Sequence, residues 1–420
     1  MSERVVIASR IFRPEAGAAA FRLGALADEL ALRGHRVTVV TTIPPAGPDE
    51  DEGALTIRRW PVLRDRSGSV RGYLQYLSYD GPLFFRLLAT RSDMVVVEPP
   101  PTTGVVARIA CAITRTPYHY FAADVVSAAA AGVGVDPRVV RVLAALERWA
   151  LNGSRRVLAV SEGVRRSLVE LGVREDLIEV VGMGIDTGRF TFRPEQPAPV
   201  MKTLVYAGTM SEIHGAEVFV RAFASIAAAH PTARLLMIGR GVEAPALERL
   251  ADELAPGRIE FRAPQSADDL SGEFSVAHAG LASVKPGVGY DFAFATKALS
   301  GLSAGAPVIY SGAGPLGPIV RDHDLGWAVG WAADEVAAAM EKALMEPPSV
   351  CRREELSRWV RTHHSLGAVA AVAADVVVGR PDGKEAGEVR PVSTTASLCV
   401  GDGQDRAEVR SVRPRSSRAC

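Results

Sequence analysis

A chain of 420 residues with 48% hydrophobic and 23% charged side chains is long enough for two or three globular domains and too ordinary in make-up for a fibre. Its 48 Lys and Arg balance 48 Asp and Glu, so bulk charge implies no nucleic-acid partner. Cys111, Cys351, Cys399 and Cys420 show neither CxxC spacing nor neighbouring histidines. That excludes an evident zinc site or disulfide framework and suits a reduced, cytoplasmic setting. The sequence opens directly into an apolar strand and contains no 18-residue apolar run, which reads as neither secreted nor membrane-spanning.

In chain order, strand Val5 to Ser9 leads through Pro14-Glu15-Ala16-Gly17 into a helix from about Ala18 to Arg33, apolar at Phe21, Leu26 and Leu30 and ended by Gly34. Strand Val37 to Thr41 follows. Short apolar runs at Met94 to Val97, Tyr118 to Phe121, Val157 to Val160 and Ile178 to Val181 have the composition of buried parallel strands. Helical segments lie between them at Gly104 to Thr114, Pro137 to Leu151 and the Ser161-capped Glu162 to Leu171, which Gly172 closes.

A proline-rich break at Phe192 to Pro199 precedes a second series: strand Thr203 to Ala207, helix Glu217 to Ala229, strand Arg234 to Ile238, helix Pro245 to Leu254, and strands Ile259 to Arg262 and Gly280 to Val284. The stretch Phe294 to Gly314 adds a helix opened by Thr296-Lys297, a stop at Gly305 and the buried strand Pro307 to Tyr310. Each series is the size of one doubly wound unit, so the expected fold is α/β, two Rossmann-like parallel-sheet domains facing across a cleft. The expected divisions are 1–190 and 200–350, C-terminal helices over 351–378 that pack back on both, and a tail over 380–420. That tail is charged, small and aromatic-free, and is expected to be disordered.

Ligand chemistry is expected in the loops at the carboxyl ends of these strands. After Thr203 to Ala207 the glycine-bracketed run Gly208 to Gly215 allows backbone amides to approach a phosphate, although a packing turn reads the same way. Gly239-Arg240-Gly241 offers a second close approach and a cation. The Thr296-Lys297 helix start offers unpaired N–H groups at a positive dipole end. Three such features converging favour a nucleotide diphosphate site over packing alone.

The segments FRPEAGAAAFRLGALADELALRGHRVTVVT (12–41), VSEGVRRSLVELGVREDLIEVVGMGIDTGRF (160–190) and Leu204 to Gly215 resemble the retaining glycosyltransferases of family 4, which have the GT-B fold. The resemblance runs collinearly over about residues 4–345 and is nearest to the variant with a Pro-Ser-Lys-x-x-Glu donor segment, imitated here by Ala295 to Ser300. It implies a nucleoside diphosphate sugar donor in the C-terminal half, an acceptor alcohol on the N-terminal half, no nucleic acid, and no metal or other cofactor.

Carried residue by residue, the resemblance places Gly17 at the first glycine-rich loop, facing the diphosphate or acceptor, and Asp124 at the strand end before the acceptor pocket. Asp124 positions the acceptor hydroxyl or caps a turn; a His that often precedes this Asp in relatives is Ala123 here. His119, mid-strand between two tyrosines, reads as a packed histidine. The implied donor-binding set is Gly208, Thr209, His214, Gly215, Gly239, Arg240, Asp291, Thr296 and Ser300, with Lys297 as cation for the leaving diphosphate. This chain departs from the family where Gly208-Thr209 and His214-Gly215 replace Gly-Arg and Lys-Gly, and where Phe292 and Ser300 occupy the positions of the paired glutamates. Ser300 accepts a hydrogen bond without charge and at shorter reach than a glutamate, and Asp291 stands beside the first of those positions.

Arg58, Arg59, Arg64, Arg66 and Arg71, with the apolar and aromatic runs at 73–77 and 83–88, make 58–90 a candidate peripheral membrane contact on the cytoplasmic face. The same pattern fits a core helix with solvated arginines. Sugar transfer is the first reading of function. A nucleotide-sugar epimerase of the same fold and a non-catalytic nucleotide- or glycan-binding relative are the alternatives, the last motivated by the missing glutamates.

Overall fold

The computed structural model describes residues 2–15, 17–45, 54–65, 70, 72–132, 134–196 and 201–379. It contains two wholly parallel sheets. The first holds β1 (Arg4–Ala8), β2 (Arg36–Thr42), β3 (Thr56–Trp60), β4 (Met94–Val97), β5 (Tyr118–Ala122), β6 (Arg156–Ala159) and β7 (Ile178–Val180), in the order β3-β2-β1-β4-β5-β6-β7. The second holds β8 (Lys202–Ala207), β9 (Ala233–Ile238), β10 (Ile259–Arg262), β11 (Ala279–Val284), β12 (Val308–Gly312) and β13 (Gly326–Val329), in the order β10-β9-β8-β11-β12-β13. The two doubly wound α/β sheets expected from the alternation of elements are therefore present.

Interior strands are buried on both faces, which is why they read as unbroken apolar runs: all four residues of β4 and all five of β5 are inaccessible. Strand order turns back between β1 and β4 in one sheet and between β8 and β11 in the other. Adjacent crossovers leave on opposite faces at those two points, and each opens a crevice at the carboxyl ends of its strands.

Several elements are not evident in the sequence. The edge strand β3 alternates exposed and half-buried residues, RRW at its end being mostly polar. Edge strand β13 is only half-buried throughout. In helix Ala18–Leu32 the buried stripe is Ala20, Leu23, Leu26, Ala27 and Leu30, joined by Arg22, whereas Phe21 is 46% exposed. The stripe is thus rotated by about one residue from the Phe21, Leu26, Leu30 reading, because Phe21 faces a cavity rather than the sheet.

The C-terminal helices tie the halves together. Helix Val350–His364 buries Leu356 and Val360 in the second half, and helix Leu366–Val378 buries Ala373, Ala374 and Val377 in the core of the first. Arg33 anchors that second helix by donating to Asp375 at 2.6 Å and to the carbonyl of Ala371 at 3.0 Å. At the crossing, Ile185 exchanges backbone hydrogen bonds with His364 and Leu366. Opposite this hinge the halves meet through glycines: a Cβ on Gly132 would lie 3.1 Å from Cα of Gly289, and one on Gly163 would lie 2.6 Å from the carbonyl oxygen of Phe292. Gly163→Ala is therefore expected to widen the cleft, raising the radius of gyration in solution scattering. Its own helix gains up to about 1 kcal/mol in propensity, so an unchanged radius with an intact fold would show that the contact does not hold the halves together.

Candidate functional site

Strand β8 ends in Tyr206-Ala207 and releases the chain into Gly208 at φ +151, while β9 releases it into Gly239 at φ +145. Both values lie where side chains are strongly disfavoured. The two loops interlock: a Cβ on Gly239 would stand 2.0 Å from the carbonyl oxygen of Gly208, and one on Gly241 1.9 Å from that of Met210. Gly208 N donates to Ile238 O at 2.9 Å and Met210 N to Arg240 O at 3.0 Å, fixing the pair as one unit. No side chain can enter this contact, so the glycines are required by packing as well as available to a ligand.

Lys297 lies beneath that unit. Its Nζ donates to Tyr206 Oη at 2.8 Å and sits 4.6 Å from the Tyr206 ring centroid, while Tyr206 Oη donates to Thr209 O at 2.7 Å. Tyr206 is fully buried. One phenol thus holds the lysine and the loop carbonyl at the same time. Burial lowers the Lys297 pKa to about 7, since a charge in a poorly solvated recess is disfavoured. His214 is brought down to about 4, by burial first and then by the Lys297 charge; the imidazole is neutral at pH 7 and its Nδ1 is buried without a partner.

A cavity of about 460 Å³ opens above these groups. The structure gathers Gly208, Thr209, His214, Gly239, Arg240, Thr296, Lys297 and Ser300 around it. Arg240 and Thr209 are exposed at its mouth, and Thr296 precedes the seven-residue helix Lys297–Ser303 with no side-chain capping bond. Two other residues of the expected set lie elsewhere. Gly215 packs against Trp331 on a separate face. Asp291 accepts from Gly287 N at 3.0 Å and faces a different recess, beside Arg166 and Glu170.

A second cavity of about 400 Å³ adjoins the first, sharing Ile185, Phe190, Gln265 and Thr296 with it and adding Phe21, Arg22 and Arg189 from the rest of the cleft. Gly17 begins the helix that supplies Phe21 and Arg22. Asp124 stands just past the carboxyl end of β5, its side chain exposed yet close enough to surrounding protein that desolvation raises its carboxyl pKa, with the charges of Arg22 and Arg10 opposing the rise. His119 is fully buried mid-strand with both ring nitrogens unpartnered, and burial lowers it to about 3.

Sequence reasoning does not reach four residues that the structure puts here. Tyr206 reads as an ordinary strand aromatic. Arg22 reads as a surface charge, yet it is 9% exposed, lies 3.5 Å from Glu98 and stacks over Phe121. Glu98 is equally hidden and accepts from Ser9 Oγ at 2.5 Å. Gln265 lines both cavities, and its Oε1 is buried without a partner. A charged residue on an apolar helix stripe is the one signal that could have drawn attention to Arg22.

On the 58–90 face, Leu74, Leu77 and Phe85 are exposed. Its arginines are engaged: Arg64 pairs with Glu15 at 3.0 Å, Arg59 donates to Arg13 O and Arg86 to Arg58 O. Arg66, Arg71 and the 380–420 tail lie outside the described residues. No helix among the described residues is long and apolar enough to cross a membrane.

Comparison with known proteins matches residues 17–184 to a glycosyl transferase 4-like domain and 201–346 to the glycosyl transferases group 1, well over half of the chain between them. A glycogen synthase of Mycobacterium tuberculosis is 26% identical over 253 residues, and the chain spans 59% of that relative's length. The colanic acid biosynthesis protein WcaI of Escherichia coli is 25% identical over 59% of this chain and 68% of its own. Among solved structures, sucrose-phosphate synthase from Thermosynechococcus elongatus superposes with a TM-score of 0.72 at 18% identity, covering 89% of this chain and 98% of that one. Anabaena HepE, solved in complex with UDP, gives 0.66 at 14% identity with the same coverage.

The buried lysine has a consequence for stability. An unfolded lysine titrates near 10.4, so between about pH 7 and that value the folded chain binds fewer protons at Lys297 and folding stability from this group rises with pH. Lys297→Met is expected to melt higher than the unsubstituted chain below pH 7, with the gap closing toward pH 10. A pH-independent gap in thermal unfolding would contradict the placement of this ammonium.

Proposed function

The chain belongs to glycosyltransferase family 4 with the GT-B fold, and on that premise we propose that it moves a sugar from a nucleoside diphosphate sugar to an acceptor hydroxyl with retention of anomeric configuration. The observation that carries the donor assignment is the interlocked Gly208 and Gly239 loops with Lys297 beneath them: one cation and, among the described residues, the uncommitted amides of Thr209 and Arg240, beside a cavity of about 460 Å³. UDP in the fold neighbour HepE supports a nucleotide there.

On this reading the bond between the anomeric carbon and the diphosphate oxygen breaks as the acceptor oxygen bonds to the same face of the sugar. The acceptor proton passes to the departing diphosphate. Charge grows on that leaving group, and Lys297 together with the loop amides stabilises it; no resident metal is part of the proposal. Lys297 meets the diphosphate as an ammonium, so a bound anion raises its pKa from about 7 and binding above that pH takes up a proton. On this reading Gln265 and Ser300, which line the same cavity, meet the nucleoside, Ser300 doing with a neutral hydroxyl what a glutamate does in relatives. Asp124 and the Arg22–Glu98 pair face the acceptor side. The acceptor is a glycan, a small alcohol or a lipid-linked alcohol, and a peripheral membrane contact by 58–90 is the weaker part of this reading because its described arginines are engaged.

Lys297→Ala is expected to lower turnover about 100-fold, the loss typical of one well-placed donor to developing charge, about 3 kcal/mol, with acceptor KM little changed. Equal turnover would remove Lys297 from the role. A panel of UDP, GDP, ADP, CDP and dTDP identifies the base, since a ligand that binds only the folded chain raises its melting temperature by mass action. If a diphosphate binds but no labelled nucleotide sugar is ever turned over, the second reading, a non-catalytic binder favoured by Ser300 and Phe292 at the glutamate positions, replaces the first.

A further inference from the structure

Helix Pro137–Asn152 has three distinct sides. Ala150 and Leu151 are buried, together with Glu147, whose carboxylate accepts from the amides of Val126 and Ser127 at 2.8 and 2.9 Å and from Ser127 Oγ. A second side carries Val139, Val142, Leu146 and Trp149, all exposed, at intervals of three, four and three residues. That spacing places them on one stripe of an α-helix. The adjoining helix Pro101–Thr114 extends the apolar surface with exposed Ile109 and Ile113. Val142 and Ile113 are more than 60% exposed, a degree that a core or a satisfied interface would not leave.

Along one edge of this stripe run Arg138, Arg141 and Arg148, all exposed. Ion pairs are common elsewhere on the molecule, yet none of these three has a carboxylate partner among the described residues. Arg141 reaches only the carbonyl of Pro137, at 3.4 Å. The one acid inside the helix, Glu147, is turned inward, and Asp136 caps its start. Arg108 stacks 4.1 Å over the Trp149 ring, placing an aromatic and a cation side by side.

We propose that this face, Val139, Val142, Leu146 and Trp149 with its arginine edge, docks the protein on an anionic lipid bilayer. An apolar stripe bearing a tryptophan, bordered by unpaired arginines and lacking acids, matches a helix lying in the plane of a headgroup region. Charge complementarity selects the bilayer over a second copy of this chain. An antiparallel two-fold pairing would set the arginine edge against its own counterpart with no acid on the exposed face to relieve it. The helix follows Val126–Gly132, whose Gly132 touches Gly289 of the other half. The proposal does not depend on which sugar is transferred, or on whether transfer occurs.

The test is co-sedimentation of the full chain, at low salt, with phosphatidylcholine vesicles containing about 30% phosphatidylglycerol, against pure phosphatidylcholine, each arginine near such a surface strengthening binding about fivefold. Binding to the anionic vesicles alone is expected, with a blue shift in tryptophan emission. Arg138→Gln, Arg141→Gln and Arg148→Gln together should weaken it about 100-fold, and Val142→Glu should abolish it. The arginine variants leave the apolar side chains in place, so a folding defect in Val142→Glu would not blind the test. Nucleotide-induced thermal shifts should be the same in all variants. No binding by the unsubstituted chain overturns the proposal. So does binding that survives these substitutions and is lost in Leu74→Ser with Leu77→Ser, which would assign contact to the other face. A dimer in sedimentation that Val142→Glu converts to monomer would overturn it in favour of a second copy.

Discussion

The feature on which the C-terminal half depends is the contact of two loops that leave no room for a side chain. With Gly239 packed on the Gly208 carbonyl and Gly241 on that of Met210, the ends of β8 and β9 form one interlocked unit next to the β8–β11 boundary where strand order reverses. Everything proposed for the site follows from that interlock. It fixes the loop amides, gives Tyr206 a loop carbonyl to bond, and holds the lysine under the loop instead of out in solvent. A preorganised arrangement of this kind needs no rearrangement when charge develops near it, which is what makes electrostatic stabilisation effective.

The cation is held in tension with its surroundings. Desolvation disfavours the ammonium of Lys297, while the Tyr206 hydroxyl and ring face offer it partners. His214, at the same wall, is neutral for the same reason and cannot replace the family's second cation at neutral pH. The N-terminal half repeats the theme in a different form: Arg22 and Glu98 compensate each other below the surface, while Asp124 is exposed past the end of β5.

What the sequence disclosed follows from which physical signals are local. Buried parallel strands announce themselves by apolar runs, so β1, β2, β4 to β6, β8, β9, β11 and β12 are legible, and the edges β7 and β10 are read from their β-branched and aromatic residues; β3 and β13 are half-exposed edges without either signature. The glycine-bracketed loops were legible as loops. Their mutual exclusion was not, because it arises between residues some thirty positions apart. Thr296, Lys297 and Ser300 join Gly208 and Gly239 at one cavity, whereas Asp291 and Gly215, attractive by position along the chain, face elsewhere once the loop from Gly287 and the Trp331 contact are in place. The basic run over 58–90 illustrates the same limit: charge in sequence does not tell whether an arginine is engaged, and the described arginines there are. Arg138, Arg141 and Arg148, without carboxylate partners among the described residues, border an apolar helix face that periodicity marks only as a helix.

The most direct test of the central claim is the difference in affinity between a nucleoside diphosphate and its monophosphate, measured calorimetrically on the unsubstituted chain and on Lys297→Met for the base that binds. The cradle of loop amides and lysine predicts that the diphosphate binds more tightly to the unsubstituted chain, that the margin shrinks above pH 7, and that Lys297→Met loses most of it. An equal margin in both proteins would contradict the assignment of the diphosphate to this cradle.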